Sequence, residues 1–233
     1  MGLISRLLRG RCAPSLHCGA VVPAAGSSTR MGQDKLLLRT LQALEACPLI
    51  DEIVVVTRED LIVPISGLCK DAALSKVRKV VRGGDTRTQS VLAGVEELSR
   101  SVDLVAIHDG ARPLVTQRLL DEVIHRAAGC GAAAPAVPLK DTVKVARDGL
   151  VESTPDRSAL YAVQTPQVFQ RDLIRVALTR GLEDGAQLTD DCSAVERLGV
   201  AVALTGGDYC NLKLTTPEDV AVAEALMAWR EEP

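Results

Sequence analysis

Short apolar runs alternate along most of this 233-residue chain with segments of helical periodicity. The runs are rich in β-branched and aliphatic residues and predict strands at 20–22, 53–57, 77–81, 104–107, 133–137 and 200–204. Between them, apolar residues recur at helical spacing, for example at Val91, Leu92, Val95 and Leu98. Because most of the runs are apolar rather than alternating, the sequence predicts an α/β fold in which a mostly parallel sheet has helices on both faces.

One segment interrupts this alternation. From 138 to 170 the sequence has the pattern of short strands and turns, and Asp148-Gly149 is a strong hairpin signal. We therefore predict a β-arm of about residues 138–170, inserted into one domain that spans residues 19–233. Residues 1–18 are predicted to be an N-terminal extension without fixed structure.

Charge and hydropathy exclude two classes of partner. The formal net charge is -3 and the pI is about 5.7, which provides no basic surface to neutralise a nucleic-acid backbone. No window approaches the roughly 18 consecutive apolar residues that a membrane-spanning helix needs. We expect neither a nucleic acid nor a membrane as partner.

The cysteines and the first residues bear on the compartment. Seven cysteines are scattered without a CxxC pair, which fits neither a disulfide framework nor a zinc site and favours the reducing cytoplasm. Residues 1–18 contain Arg6, Arg9 and Arg11 and no acidic residue, a weak resemblance to an organellar transit peptide. The alternative is a plain disordered or bacterial extension.

The polar segment PAAGSSTRMGQDK, residues 23–35, directly follows the first predicted strand. Its small residues allow a ligand to approach the backbone closely, and successive N–H groups in such a turn can surround phosphate oxygens. Arg30 and Lys35 add two cations within six residues. The spacing matches neither GxxxxGK[ST] nor GxGxxG, so an ordinary glycine-rich strand-to-helix loop is the alternative.

Four further polar segments follow in order: RGGDTRTQSVLAG at 82–94, HDGARPLV at 108–115, TDDCSAVE at 189–196 and NLKLTTPED at 211–219. With residues 23–35, these motifs resemble the 2-C-methyl-D-erythritol 4-phosphate cytidylyltransferase family over nearly everything after Gly19. The resemblance implies a Rossmann-like nucleotidyltransferase domain that joins CTP to a small polyol phosphate and releases pyrophosphate. It further implies Mg²⁺ or another divalent cation, and a homodimer whose arm reaches the partner's site.

The resemblance also assigns residues of this sequence to roles. Transition-state stabilisation is assigned to Arg30, Lys35 and Lys213. Nucleotide binding is assigned to Pro23, Ala24, Ala25, Gly26, Gly84, Asp85, Ser90, Asp109 and Gly110. Acceptor binding is assigned to Arg112, Thr142, Arg157, Thr165 and Thr189. The implied metal ligand is Asp109, with Asp208 as a second candidate.

These residue types suit the implied chemistry. Nucleotidyl transfer needs cations around a triphosphate, and a carboxylate such as that of Asp85 can accept from the exocyclic amine of cytosine, which uracil lacks. An acceptor phosphate is already an anion, so no general base is required and His108 is predicted to be structural. Without the motifs, ordinary alternatives hold: the cations are solvated, Thr142 suits a strand, and Thr189 caps a helix.

The chain departs from the family pattern at two places. After Lys35, about nine residues of a turn and short strand are missing, a difference that surface connections tolerate. Cys210 stands where the family commonly has an acidic residue, and Asp208 is the candidate replacement. Two alternatives remain open: ribitol 5-phosphate as the acceptor, and a non-catalytic nucleotide-binding protein.

Overall fold

A computed structural model of the protein describes residues 16–24 and 33–231. The strands are β1 Cys18–Pro23, β2 Glu52–Thr57, β3 Val77–Arg82, β4 Leu104–Ile107, β5 Ala132–Pro138, β6 Val145–Arg147, β7 Leu150–Ser153, β8 Tyr161–Val163, β9 Gln167–Gln170 and β10 Ala203–Gly206. The α-helices are α1 Gln33–Glu45, α2 Ile62–Asp71, α3 Arg87–Glu97, α4 Gln117–Cys130, α5 Arg171–Glu183, α6 Asp191–Glu196 and α7 Pro217–Glu231. Two 3₁₀ turns, Glu59–Leu61 and Arg157–Ala159, complete the described elements.

Eight of the strands form one central sheet. Seven of them run in the order β10-β5-β9-β4-β1-β2-β3, and β8 pairs with β5. Strands β3, β2, β1 and β4 are mutually parallel, as are β5 and β10, whereas β9 is antiparallel to both β4 and β5. This topology confirms the predicted mostly parallel α/β sheet.

Helices cover both faces of the sheet. Successive residues of a strand point to opposite sides, so neighbouring residues of one strand pack against different helices. Val22 of β1 packs with Leu41 of α1 and Leu120 of α4 in one buried cluster. Its neighbour Val21 packs with Val95 of α3 in a second cluster on the other face, to which α5 and α6 also contribute. Burial on both faces explains why β1 and β4 contain no polar side chain. Among the helices described, none has the length and apolar character needed to cross a bilayer.

Two predicted boundaries need correction. The last strand of the sheet lies at Ala203–Gly206 instead of 200–204, because its pairing with β5 begins only at Ala203, opposite Ala133. Val200 is buried but precedes the strand.

The segment predicted as one arm, 138–170, has two parts in the structure. Strands β6 and β7 form a separate hairpin of exposed residues, and Asp148 and Gly149 make its turn with φ of 51° and 79°. Residues 161–170, however, return to the central sheet as β8 and β9. The physical reason is burial, since Val168 and Phe169 are fully enclosed between the helical layers.

The carboxyl ends of β1, β2, β3 and β4 lie at one edge of the sheet, since these strands are parallel. Backbone hydrogen bonds fix the segments that leave them: Ala24 N donates to Val56 O, Gly83 N to Thr57 O, and His108 N to Val21 O. Three of the polar motifs therefore begin side by side, at the edge where open α/β sheets bind ligands.

Candidate active site

The carboxylate of Asp109 lies at the centre of a cluster of cations. It follows β4, and the residue is only 7% exposed. Its Oδ2 lies 3.1 Å from Lys213 Nζ and 3.5 Å from Arg112 Nε, while its Oδ1 lies 3.7 Å from Arg87 Nη2. Burial opposes ionisation, but the three cations outweigh it and hold the pKa of Asp109 below its usual value. Asp109 is therefore ionised at neutral pH.

Arg87 is fixed from its other side by Asp191. Its Nη1 and Nη2 donate to the two carboxylate oxygens of Asp191 at 2.9 and 2.7 Å, and Asp191 is 1% exposed. Burial disfavours the guanidinium charge, but the adjacent Asp191 carboxylate raises the pKa of Arg87 above its usual value. Such a bidentate ion pair fixes the orientation of the guanidinium plane as well as its position.

Arg87 and Asp191 are absent from the predicted site residues, although both lie within the motifs. They are separated by 104 positions in the chain, and nothing in either local pattern shows that they pair. Charged residues inside the motifs were the available signal, but only the packing of α6 beside α3 and α5 reveals the partner.

His108 and Thr165 are buried beneath the cluster. His108 Nε2 faces the carbonyl oxygen of Arg112 at 3.2 Å, so this nitrogen carries the ring proton. The Thr165 hydroxyl then donates to His108 Nδ1 at 3.1 Å and accepts from the backbone N of Asp109 at 3.1 Å. Burial lowers the pKa of His108 to about 4, so the ring is neutral at physiological pH. These contacts give His108 a structural role, and they occupy the Thr165 hydroxyl within the protein.

The buried neutral His108 should make stability depend on pH. The unfolded chain takes up a proton near pH 6.5 that the folded ring accepts only near pH 4, so stability falls as the pH drops through this range. Relative to His108→Gln, which cannot titrate, the unaltered protein should lose roughly 3 kcal/mol more unfolding free energy between these pH values. Urea denaturation from pH 4 to 7 measures the difference, and parallel curves for the two proteins would contradict the neutral ring.

The loop between β10 and α7 brings Lys213 to Asp109. Leu214 N donates to Ala111 O at 2.8 Å, and Arg112 Nη1 donates to Asn211 O at 2.7 Å. The Lys213 side chain remains 46% exposed. Its ammonium group can therefore meet a bound anion as well as Asp109.

Gly84 and Ser90, two residues predicted to recognise the base, lie together. Ser90 is buried, and its hydroxyl lies 3.3 Å from Gly84 O and 2.9 Å from Thr86 O, to both of which it can donate. Thr86 begins α3 with a capping box, in which its side chain and that of Gln89 bond to each other's backbone N–H. Asp85 is exposed and has no hydrogen bond or ion pair with the described residues. Its carboxylate is therefore available to a ligand.

The predicted phosphate loop is described only at its two ends. Pro23 O accepts from the backbone N of Gly110 at 3.3 Å, and Ala24 O accepts from the Thr57 hydroxyl at 3.2 Å. Lys35 is exposed in the first turn of α1. The predicted residues Ala25, Gly26 and Arg30 lie outside the described residues.

The shortened segment after Lys35 is helical. Leu36, Leu37 and Leu38 belong to α1, where the family pattern has a turn and a short strand. Thr40 donates from its hydroxyl to Gly110 O at 2.9 Å, and a Cβ added at Gly110 would lie 3.2 Å from Leu37 Cδ1. The helix thus packs directly behind the segment that carries Asp109.

The acceptor candidates divide into two groups. Arg112 and Thr165 contact Asp109, as described above. The other three are exposed, and none has a hydrogen bond or ion pair with Asp109 in the described part of one chain: Thr142, Arg157 and Thr189. The Arg157 guanidinium donates to Lys140 O at 2.5 Å. If these residues bind the acceptor, the structure requires a second copy of the chain or a movement to bring them to Asp109.

Two of the ordinary alternatives for these threonines are wrong. Asp190 caps α6 instead of Thr189, because the Asp190 carboxylate is the group that accepts from Ser193 N, at 2.9 Å. Thr142 lies between β5 and β6, outside any strand.

A divalent cation would find few protein ligands here. Among the described residues, no group of three or more His, Cys, Asp or Glu side chains is placed to hold a metal. Asp208 Oδ1 accepts from Cys210 N at 2.8 Å. Mg²⁺ is commonly bound by one or two carboxylates together with substrate phosphates, so the single ionised Asp109 fits a metal that arrives with a triphosphate.

Cations that surround one carboxylate at the carboxyl edge of a parallel sheet suit the handling of a nucleoside triphosphate. Fold and site together define the class of Rossmann-like nucleotidyltransferases. Within that class, the chain belongs to the 2-C-methyl-D-erythritol 4-phosphate cytidylyltransferase family, whose sequence profile matches residues 18–229. The predicted family and enzyme class are confirmed.

Relatives of known name agree over almost their whole length. The chain is 42% identical to the 2-C-methyl-D-erythritol 4-phosphate cytidylyltransferase of Caldanaerobacter subterraneus, with 91% of this chain and 99% of the relative covered. It is 45% identical to that of Desulforamulus reducens, with 91% and 96% covered. The crystal structure of 4-diphosphocytidyl-2C-methyl-D-erythritol synthase from Anaerococcus prevotii superposes with a TM-score of 0.84 at 32% identity, covering 91% of this chain and 99% of the other.

Proposed function

We propose that this protein transfers the cytidylyl group of CTP to 2-C-methyl-D-erythritol 4-phosphate, giving 4-diphosphocytidyl-2-C-methyl-D-erythritol and pyrophosphate, in the cytoplasm. The observation that carries the proposal is the convergence of Lys213, Arg87 and Arg112 on ionised Asp109, in a chain of this family. A protein that only binds nucleotides has no need of so many cations around one buried carboxylate. The cluster therefore favours the enzyme over the non-catalytic alternative.

The reaction needs charge stabilisation more than proton transfer. A phosphate oxygen of the acceptor attacks the α-phosphorus of CTP, and the bond from that phosphorus to the oxygen of the leaving pyrophosphate breaks. Negative charge builds up on the α-phosphate oxygens, and Lys213, being half exposed, is placed to exchange its contact with Asp109 for one with these oxygens. Lys35, in the first turn of α1, is proposed to hold the phosphates with Arg30.

A divalent cation is proposed to accompany CTP. Asp109 would hold it, and Asp208 is the second candidate ligand. When bound, the metal would offset the negative charge of the nucleotide phosphates. The contribution of the chain is to keep Asp109 ionised through its three cationic neighbours.

The exposed hairpin supports a homodimer. Leu150 is 75% and Val151 60% exposed on strands that form their own two-stranded sheet. Neighbouring exposed apolar residues favour burial against another protein surface, and a second copy with two-fold symmetry is the commonest partner. The hairpin belongs to the segment between β5 and β8, which also contains Thr142 and Arg157. We propose that this segment of one subunit brings Thr142 and Arg157 to the acceptor site of the other.

The base is proposed to bind at Gly84, Asp85 and Ser90. The Asp85 carboxylate is exposed and free of described partners, so it can accept from the cytosine amine.

Asp85→Asn should lower the CTP to UTP ratio of kcat/KM, because an amide can both donate and accept. Competition assays with both nucleotides measure the ratio. Asp172→Asn, on the exposed surface of α5, is the matched control, and an unchanged ratio in Asp85→Asn would leave Asp85 as a turn residue only.

A direct assay tests the proposed function. Purified enzyme is given CTP and Mg²⁺ with either 2-C-methyl-D-erythritol 4-phosphate or ribitol 5-phosphate, and pyrophosphate release is followed. Turnover with the first acceptor and little with the second is expected. Preference for ribitol 5-phosphate would replace the proposed acceptor, and no release with either would favour a binding protein.

A further inference from the structure

Gln164 lies at a break in the central sheet. It separates β8 from β9, which pair with successive parts of the same edge of β5. The backbone N of Gln164 still donates to Pro135 O of β5 at 2.8 Å. On the other edge of β5, β10 ends, and Gly207 N donates to Ala136 O at 2.9 Å. The loop that leads to Lys213 therefore starts across β5 from Gln164.

The side-chain amide of Gln164 connects the break between β8 and β9 with the loop that follows β10. Its Nε2 donates to Asp208 O at 2.7 Å, and its Oε1 accepts from Asp208 N at 3.2 Å. This reciprocal pair satisfies both backbone groups of Asp208 as a neighbouring strand would. Gln164 is 7% exposed, and a Cβ at Gly207 would lie 2.9 Å from its Oε1 and 2.8 Å from the carbonyl carbon of Ala136. Only glycine allows this close approach.

Asn211 adds a second tie between the same segments. It is fully buried, its Nδ2 donates to Thr165 O at 2.9 Å, and its backbone N donates to Asp208 O at 2.9 Å. The Thr165 hydroxyl in turn accepts from Asp109 N. Residues 164–165 thus hold both the loop of Lys213 and the residue that Lys213 meets at 3.1 Å.

We propose that Gln164 and Asn211 are positioning residues for nucleotidyl transfer, which fix Lys213 relative to Asp109 by binding the loop after β10 to the break between β8 and β9. The inference rests on the proposed function. Neither residue needs to touch a substrate. Because Lys213 acts mainly on charge that develops in the transition state, its displacement should lower kcat more than it raises the KM for CTP.

Gln164→Glu provides a reversible test. A protonated carboxyl group matches the amide, since it donates to Asp208 O and accepts from Asp208 N, whereas an ionised one cannot donate and faces a carbonyl oxygen. At pH 8 we expect kcat to fall about tenfold or more, with the KM for CTP changed less than about threefold. The ratio of variant to unaltered kcat should then rise as the pH falls to 6. Gln164→Met, which cannot make either bond, should stay low at every pH.

The controls separate positioning from stability. Gln170→Glu places the same charge at the end of β9, where the side chain has no hydrogen bond with the described residues. It should keep kcat and its pH profile. Asn211→Asp should lower kcat at pH 8 as Gln164→Glu does, because its ionised carboxylate faces Thr165 O without a donor. Lowered melting temperatures with unchanged kcat in the Gln164 variants would overturn the inference, as would a kcat ratio for Gln164→Glu that does not change with pH. No pyrophosphate release by the unaltered enzyme would instead refute the proposed function.

Discussion

Lys213→Ala is expected to lower kcat by about a hundredfold or more while the affinity for CTP changes little. A factor of one hundred corresponds to about 2.7 kcal/mol of transition-state stabilisation, which is the size of effect produced by removing one well-placed charged or hydrogen-bonding group. The ground-state triphosphate keeps other cations, and Asp109 keeps Arg87 and Arg112. The loss should therefore fall on the chemical step.

Steady-state kinetics with varied CTP, together with a direct binding measurement, tests this expectation. Lys70→Ala is the matched control, because Lys70 is an exposed lysine in α2 without a described ion pair. Its kcat should equal that of the unaltered enzyme. A normal kcat in Lys213→Ala would remove Lys213 from the catalytic residues, and a raised KM with normal kcat would make it a binding residue only.

Two inactive variants should restore activity when their subunits are mixed. Lys35→Ala removes a cation proposed to act within its own subunit, and Arg157→Ala removes one proposed to act in the partner's site. Each homodimer should be nearly inactive. In a mixed dimer, one site carries both defects, whereas the other combines the intact Lys35 of one chain with the intact Arg157 of its partner.

The size of the recovery follows from two-fold symmetry. Random exchange makes about half of the dimers mixed, and one of their two sites works, so activity should recover to about a quarter of the unaltered enzyme. Subunit exchange is verified separately, for example with two differently tagged chains. Mixing Lys35→Ala with Lys213→Ala is the control that should not recover, because both residues are proposed to serve their own subunit. No recovery with Arg157→Ala would mean that Arg157 serves its own chain or does not bind the acceptor.

The sequence alone predicted the family, the enzyme class and the mostly parallel α/β sheet. Apolar runs such as 53–57 identify a strand buried on both faces, because alternating residues point into two helical layers. The ordered motifs place the Asp109 and Gly84 segments directly after strands, at one edge of the sheet. These features are local, so they can be recognised from short stretches of sequence.

Only the tertiary structure decided which distant residues meet. Arg87 pairs with Asp191 because α3 and α6 pack on one face, and Gln164 reaches Asp208 across the end of β5. In the sequence, the segment of β8 and β9 has the pattern of an arm, because its strands are short and interrupted. In the structure, Phe169 of β9 is fully buried in the core, so this segment belongs to the central sheet. Side-chain contacts between segments far apart in the chain depend on how helices and strands pack, and the periodicity of one segment carries no information about its partner.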